Sequence, residues 1–301
     1  KRMSPRVSFI IPTYNYGQYL PYCLNSVLNQ TFADIEVVVL DDASTDDTAE
    51  VMAEFTAKDA RVRYVRHPKN IGPVANWNAA LQEAQGELVW LISADDALAV
   101  DTVLARFVDE FDNCPRLGFA FCRARIMDEH SAPQEKWIPR YGGGFPLEEP
   151  CAYEGREFFQ YLTQENFVPV LGTLARRACY EQVAGPSAKA FDPDLIHCGD
   201  WFNWLRMALD WDVFFNPEPM AYYRQHGANL STSYENRAYP VENVLLSYEK
   251  LRGYIRERNL PEHLLKWVNR AEVRFRKKHA LPLTPRQWLT YRYAKWRGFY
   301  L

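Results

Sequence analysis

The chain has 301 residues, of which 48% are hydrophobic and 24% charged, a balance that fits one large core with or without a smaller appendage and excludes a disordered chain. No run reaches the roughly 18 apolar residues that a membrane-spanning helix needs, and six scattered cysteines without a CxxC pair exclude a zinc knuckle or a small disulfide scaffold. The net charge of −3 is uneven: nine basic residues stand against one acid from Arg270 to Leu301, a local +8 that leaves −11 on the rest.

Val7–Ile11 is a continuous apolar run, as expected of a strand covered on both faces. Leu20, Leu24, Val27 and Leu28 recur at helical spacing, and Ile35–Leu40 is a second buried strand. Ser44 or Thr45 is expected to cap the next helix, which carries Val51, Met52 and Phe55 on its apolar stripe. Val62–Val65 follows as a strand, Val74–Gln85 as a helix and Leu88–Ile92 as another buried strand. Strands alternating with helices predict βαβ units, an α/β fold and a mainly parallel sheet. Beyond Asp101 come a helix over Thr102–Asp112, a strand over Leu117–Cys122 and a long irregular stretch to about Tyr153. Helices over Glu154–Thr163 and Asp200–Leu209 are expected next, with strands at Val168–Ala175, Val213–Phe215 and Met220–Tyr223. From Val241 the pattern reads as two or three helices.

In parallel sheets, ligands bind beyond the carboxyl ends of the strands. Three polar clusters fall there: Pro12-Thr13-Tyr14-Asn15, Asp41-Asp42-Ala43-Ser44 and Ser93-Ala94-Asp95-Asp96. Asp41-Asp42 reads equally as ligand-binding carboxylates or as an acidic helix start. Adjacent carboxylates at Asp95 and Asp96 repel unless solvent or a cation relieves them. Oxygen-only ligands of this kind suit Mg²⁺ or Mn²⁺, while a solvated turn is the plain alternative. Asp200 opens an aromatic-rich helix, as a helix cap or as a general base. His226 follows the last core strand, as a structural residue or a phosphate or metal contact.

These pieces occur in one order: VSFIIPTYN, QTFADIEVVVLDDASTDDT, NIGPVANWNAAL, GELVWLISADD, CGDWFNWLRM and YYRQHGANLS. The series resembles the family 2 glycosyltransferases with the GT-A fold, over about residues 6–231. The resemblance implies a Rossmann-like central sheet flanked by helices. It implies a catalytic domain over 1–235, divided into a nucleotide-sugar half (1–100) and an acceptor half (101–235), with a helical C-terminal extension over 236–301. It assigns Pro12, Tyr14, Asn15, Asp42, Asn76, Ala94, Asp95 and His226 to the nucleotide sugar, and Asp95 and Asp96 to a divalent metal. Asp200 matches the acid that deprotonates the acceptor in inverting members. Many members read Asp-x-Asp-Asp where this chain has Ser93-Ala94-Asp95-Asp96, so the first carboxylate of the motif is missing here.

The implied activity is transfer of a sugar from a nucleoside-diphosphate donor, UDP before GDP or dTDP, to a hydroxyl of a glycan or lipid-linked saccharide in cell-surface polysaccharide synthesis. The implied cofactor is Mn²⁺ or Mg²⁺. The absence of an acid at Ser93 keeps one alternative open, a catalytically silent binding module of a synthase complex. In the tail, Leu289, Tyr293, Trp296 and Tyr300 share one helical face near Arg286, Arg292, Lys295 and Arg297. That pattern reads as an interfacial membrane anchor or as a stripe packed on protein. Nucleic acid is not an expected partner, because the rest of the chain is acidic. The expected location is the cytoplasm, at the inner face of a bacterial membrane, since Lys1 leads almost directly into a strand-like segment with no signal-like apolar run.

Overall fold

A computed structural model describes residues 4–137, 149–227, 229, 241–285 and 287–289. Strands β1 (Val7–Thr13), β2 (Ile35–Asp41), β3 (Val62–Arg66) and β4 (Leu88–Leu91) alternate with helices α1 (Leu20–Leu28), α2 (Thr48–Lys58) and α3 (Pro73–Glu83). All of β1 and β4 is buried, which is why their sequences are unbroken apolar runs rather than alternating ones. β1 pairs in parallel with β2 on one side and β4 on the other, and β2 with β3. This is the parallel half that the alternating periods predict.

The short β5 (Ala97–Leu98), α4 (Val103–Asn113), β6 (Leu117–Met127) and β7 (Pro133–Trp137) follow, then β8 (Cys151–Tyr153) and α5 (Gly155–Leu162). After them come β9 (Thr173–Arg176), α6 (Arg177–Ala184), α7 (Gly199–Met207) and β10 (Asp212–Arg224). Among the described residues the sheet has ten strands, with the main order β3-β2-β1-β4-β9-β6-β10-β5; β7 pairs with β6 and β8 with β10. β9 is antiparallel to both β4 and β6, whereas β6 and β10 are parallel. The second half is therefore a mixed sheet fused to the parallel half through β9.

Several boundaries differ from the sequence expectation for identifiable reasons. The strands expected at Val213–Phe215 and Met220–Tyr223 are one strand, β10, whose register shifts around Asn216–Pro219 take up its two prolines. Part of the irregular stretch before Tyr153 forms β7 and β8. The strand expected over Val168–Ala175 is a 3₁₀ turn (Val170–Gly172) leading into β9. Neither Ser44 nor Thr45 caps α2: its N-cap is Asp47, and the Thr48 N–H donates instead to Asp46 Oδ1 at 3.1 Å. Ser44 turns back to donate to Asp41 Oδ1.

Helices α8 (Val241–Glu257) and α9 (Glu262–Lys278) complete the described fold. They are built into the core rather than appended to it. Val244, Tyr248, Leu251, Val268 and Ala271 share one buried cluster with Phe158 of α5 and Trp201 and Leu205 of α7. The Tyr248 hydroxyl donates to Thr163 O at 2.9 Å, and its ring meets Trp201 edge-on at 5.5 Å. Of the basic aromatic tail, Tyr293, Trp296, Tyr300 and the neighbouring cations lie outside the described residues, where only Leu289 of the stripe is seen, exposed. Among the described residues no helix is long and apolar enough to cross a membrane.

Candidate active site

Three strand ends build the site. β1 and β2 end on chain reversals in the left-handed region, at Asn15 (φ 56°) and Ala43 (φ 61°). Non-glycine residues occupy that region at a cost, usually where a local network fixes the backbone. The network is on hand: the Asn15 N–H donates to Ser44 Oγ at 2.9 Å, and Asn15 Oδ1 accepts from the Thr45 N–H at 2.8 Å. Asp41 is fully buried and accepts from the Ser44 N–H at 2.8 Å and from the Tyr64 hydroxyl at 2.6 Å.

Asp42 is also buried, and both of its oxygens hold the loop before α3. Oδ1 accepts from the Ile71 N–H at 2.7 Å and Oδ2 from the Gly72 N–H at 2.9 Å. Gly72 sits at φ 86°, a conformation that glycine adopts without a Cβ penalty. Asn76 is 3% exposed, its amide N–H donates to Leu40 O and its oxygen meets His67 Nε2, both at 3.1 Å. Its side chain fastens α3 to the end of β2. Pro12 and Ala94 are buried. Tyr14, by contrast, is 45% exposed and presents an open aromatic face at the end of β1.

The third strand end carries Asp95 and Asp96, both nearly buried. Asp95 Oδ2 lies 3.1 Å from His226 Nε2 and accepts from Asn229 Nδ2 at 3.0 Å. Asp96 Oδ1 accepts from the Arg224 N–H at 3.1 Å. Burial, reinforced by the charge of Asp95, pushes the Asp96 carboxyl well above the usual carboxylate range, and the contacts from Arg224 only partly oppose this. Among the described residues, Asp95 Oδ1 and Asp96 Oδ2 accept no hydrogen bond. No cluster of three or more histidine, cysteine or acidic side chains stands ready for a metal among the described residues. Two buried carboxylates, each with an oxygen to spare, nonetheless suit a hard cation that takes its remaining ligands from phosphates and water.

Arg224, which lies outside the acidic motifs of the sequence, organises this corner. It is fully buried; Nε donates to Asp95 O at 2.8 Å, and Nη1 donates to Ser131 Oγ at 2.7 Å and to Asp128 O at 3.1 Å. Its guanidinium lies 4.7 Å from the Tyr19 ring centroid, and the same ring lies 4.8 Å from His226. Tyr16 closes on His226 edge-on at 5.4 Å. A signal was present in the aromatic spacing Tyr16-Tyr19 after β1 and in an arginine two residues before His226.

Asp200 belongs to a separate group. It lies in the first turn of α7, whose N-cap is Cys198, and Oδ1 accepts from the Trp201 N–H at 2.7 Å. Oδ2 accepts from Asn166 Nδ2 at 3.0 Å. The carboxylate thus satisfies an orphan N–H of the helix start and is aimed by a buried amide, so the two roles open to it in the sequence are compatible.

A sheet of this order, carrying acidic clusters at the carboxyl ends of β2 and β4, is the architecture of GT-A glycosyltransferases. Residues 8–179, more than half of the chain, match the model of glycosyl transferase family 2, and the chain belongs to that family. Two solved structures share its fold. S. aureus TarS, in complex with UDP-GlcNAc, aligns with a TM-score of 0.65 at 21% identity, over 92% of this chain and 72% of that one. The mannosyltransferase PcManGT of Pyrobaculum calidifontis, with GDP-Man and Mn²⁺, aligns with a TM-score of 0.60 at 18% identity, over 99% and 82%. Among sequence relatives, chondroitin synthase of Escherichia coli is 37% identical over 41% of this chain, which spans 18% of that protein. A Haemophilus influenzae glycosyltransferase is 39% identical over 32% of the chain and 39% of its own length.

Proposed function

We propose that this family 2 glycosyltransferase moves a sugar from a nucleoside-diphosphate donor to a hydroxyl of a glycan or lipid-linked saccharide, with inversion and with help from a divalent cation. The observation that carries the reading is the buried Asp95–Asp96 pair at the end of β4, locked to the end of β10 through Arg224 and His226, with one oxygen of each acid unclaimed among the described residues. Mn²⁺ or Mg²⁺ held there would neutralise charge that builds on the departing diphosphate. The bound nucleotides of TarS and PcManGT support a nucleotide-sugar donor, with a uridine nucleotide the first candidate and the exposed Tyr14 ring available to its base. In this reading Asn15 and Asp42 shape the donor pocket largely through the loops they fasten, and His226 steadies Asp95.

Asp200 is the base. Its carboxylate takes the acceptor hydroxyl proton, the freed oxygen pair attacks the anomeric carbon, and the bond to the diphosphate oxygen breaks with its electrons leaving on the diphosphate. A single displacement of this kind inverts the anomeric centre. The protein would work in the cytoplasm, at the inner face of a bacterial membrane where lipid-linked acceptors are assembled for cell-surface polysaccharide.

The test is the melting temperature of the chain with UDP-, GDP- and dTDP-sugars, each with and without Mn²⁺. A ligand that binds only the native state raises it by mass action. A rise with one nucleotide that requires the metal is expected. No rise with any donor would move the reading to a silent binding module.

A further inference from the structure

Asp200 stands in the first turn of α7, and α8 grips the backbone on both sides of it. The Lys250 ammonium donates to Asp192 Oδ2 at 2.7 Å and to Asp194 Oδ2 at 2.8 Å. Asn243, seven residues earlier and so on the same helical face, accepts from the His197 N–H at 3.3 Å and donates to Asp194 O at 3.5 Å. Residues 192–198 are a run of tight turns: the Leu195 N–H donates to Asp192 O at 3.0 Å, and the Cys198 N–H to Leu195 O at 3.1 Å. The run leads into α7, where the Phe202 N–H donates to Cys198 O at 2.8 Å and the Trp201 N–H to Asp200 Oδ1 at 2.7 Å. On the far side the Tyr248 hydroxyl holds Thr163 O, shortly before the Asn166 amide that donates to Asp200 Oδ2.

We infer that Lys250 is a positioning residue for sugar transfer: by tying Asp192 and Asp194 to α8, it fixes the turns that set where α7 begins and hence where the Asp200 carboxylate points. The inference rests on the transferase reading of Asp200 and adds a residue, distant in sequence, through which the C-terminal helices act on the reaction. A single exposed ion pair contributes little. Lys250 differs, because its side chain is only 28% exposed and gathers two carboxylates from one turn. The Asp194 N–H donates to Asp192 Oδ1 at 3.0 Å, which keeps those acids close. Without the ammonium between them they repel, and the turn loosens. Transfer is sensitive to such a displacement, since the base must stay within hydrogen-bond reach of the acceptor hydroxyl.

Lys250→Met tests this in the full chain, with Lys250→Arg as the conservative partner that keeps the charge. Amide hydrogen exchange is read first and needs no ligand. Lys250→Met is expected to speed exchange at Cys198, Trp201 and Phe202 on the order of 10-fold while β1 exchanges as before, and Lys250→Arg to restore most of the protection. Hydrolysis is read next, as release of nucleoside diphosphate from whichever UDP-, GDP- or dTDP-sugar raises the melting temperature with Mn²⁺, water standing in for the acceptor hydroxyl. Its kcat is expected to fall about 10-fold in Lys250→Met with KM for the donor unchanged, and to recover in Lys250→Arg. Asp194→Asn, at a side chain 65% exposed, should give a smaller fall of the same kind. Unchanged exchange over residues 198–202, faster exchange that spreads equally to β1, or a normal kcat where Asp200→Asn lowers it would overturn the inference. Hydrolysis that is absent in the unaltered chain, or that Asp200→Asn leaves untouched, would instead strike at the transferase reading, with the exchange comparison still deciding whether Lys250 holds the start of α7.

Discussion

Aspartates in this chain differ in what their oxygens are already doing, and that difference decides what each substitution should reveal. Asp42 and Asp41 hold backbone, whereas Asp95 and Asp96, among the described residues, each keep one oxygen in reserve. Asp95→Asn and Asp96→Asn are therefore expected to abolish the Mn²⁺-dependent part of the donor melting shift while the chain stays folded; an undiminished shift would remove both as metal ligands. Asp200→Asn keeps the Trp201 contact but loses basicity, so turnover should fall by about 10²-fold or more with donor binding unchanged. Near-normal turnover would exclude it as the base. Arg224→Lys cannot reproduce a fork that reaches Asp95 O, Ser131 and Asp128 at once. It should cost about 1–3 kcal/mol in denaturant unfolding, because buried acceptors lose their donors. The acids were legible in the sequence because clustered carboxylates at strand ends are conspicuous. Arg224 left only a faint trace, its place two residues before His226, and Asn166 none, because burial of a polar side chain is set by contacts far away in the chain.

At the scale of elements, the junction of α8 and α9 turns on Glu272. It is buried and accepts from Arg252 Nη1 at 2.5 Å, Arg276 Nε at 2.8 Å and Gln287 Nε2 at 2.9 Å. Burial alone would raise its pKa, yet the hydrogen bonds from Arg276 and Arg252 prevail and hold it below the usual carboxylate range. An acid with a lowered folded-state pKa contributes stability that is present above its unfolded value and is lost as pH falls through the folded one. Glu272→Gln should accordingly destabilise the chain by about 1–3 kcal/mol at neutral pH, with the gap closing on acidification below the ordinary carboxylate range. A gap that stays constant across that titration would show that shape, not charge, is what the position supplies. Element identity was readable wherever the period was sustained, as in β1, β2 and α4. It failed at β10, where Pro217 and Pro219 look like a break between strands but are absorbed by register shifts within one. Helix α6 went unread because its eight residues span only about two turns and its start follows β9 without a turn.

For the whole molecule, the boundary drawn near residue 235 separates sequence patterns but not cores. Tyr248 and Val268 lie in the same buried cluster as Phe158 and Trp201. A chain ending at Pro240 should therefore lose its single cooperative melt and bind a hydrophobic dye; an unchanged transition would mean the C-terminal helices are dispensable. Contacts of this kind join segments far apart in the chain, so helical periodicity could announce α8 and α9 without revealing the core they complete. The position of β9 has a consequence for synthesis. It occupies the seam between β4 and β6, yet it is made some eighty residues after β4. At translation rates of about 5–20 residues per second, the β4 edge waits roughly 4–16 s on the ribosome before its neighbour emerges. A nascent chain paused in that interval displays an open, fully apolar strand edge, the feature that chaperones shield and that pairs wrongly with other chains. Codon choice and temperature across the segment between the two strands should thus govern the yield of folded enzyme more than its final stability does.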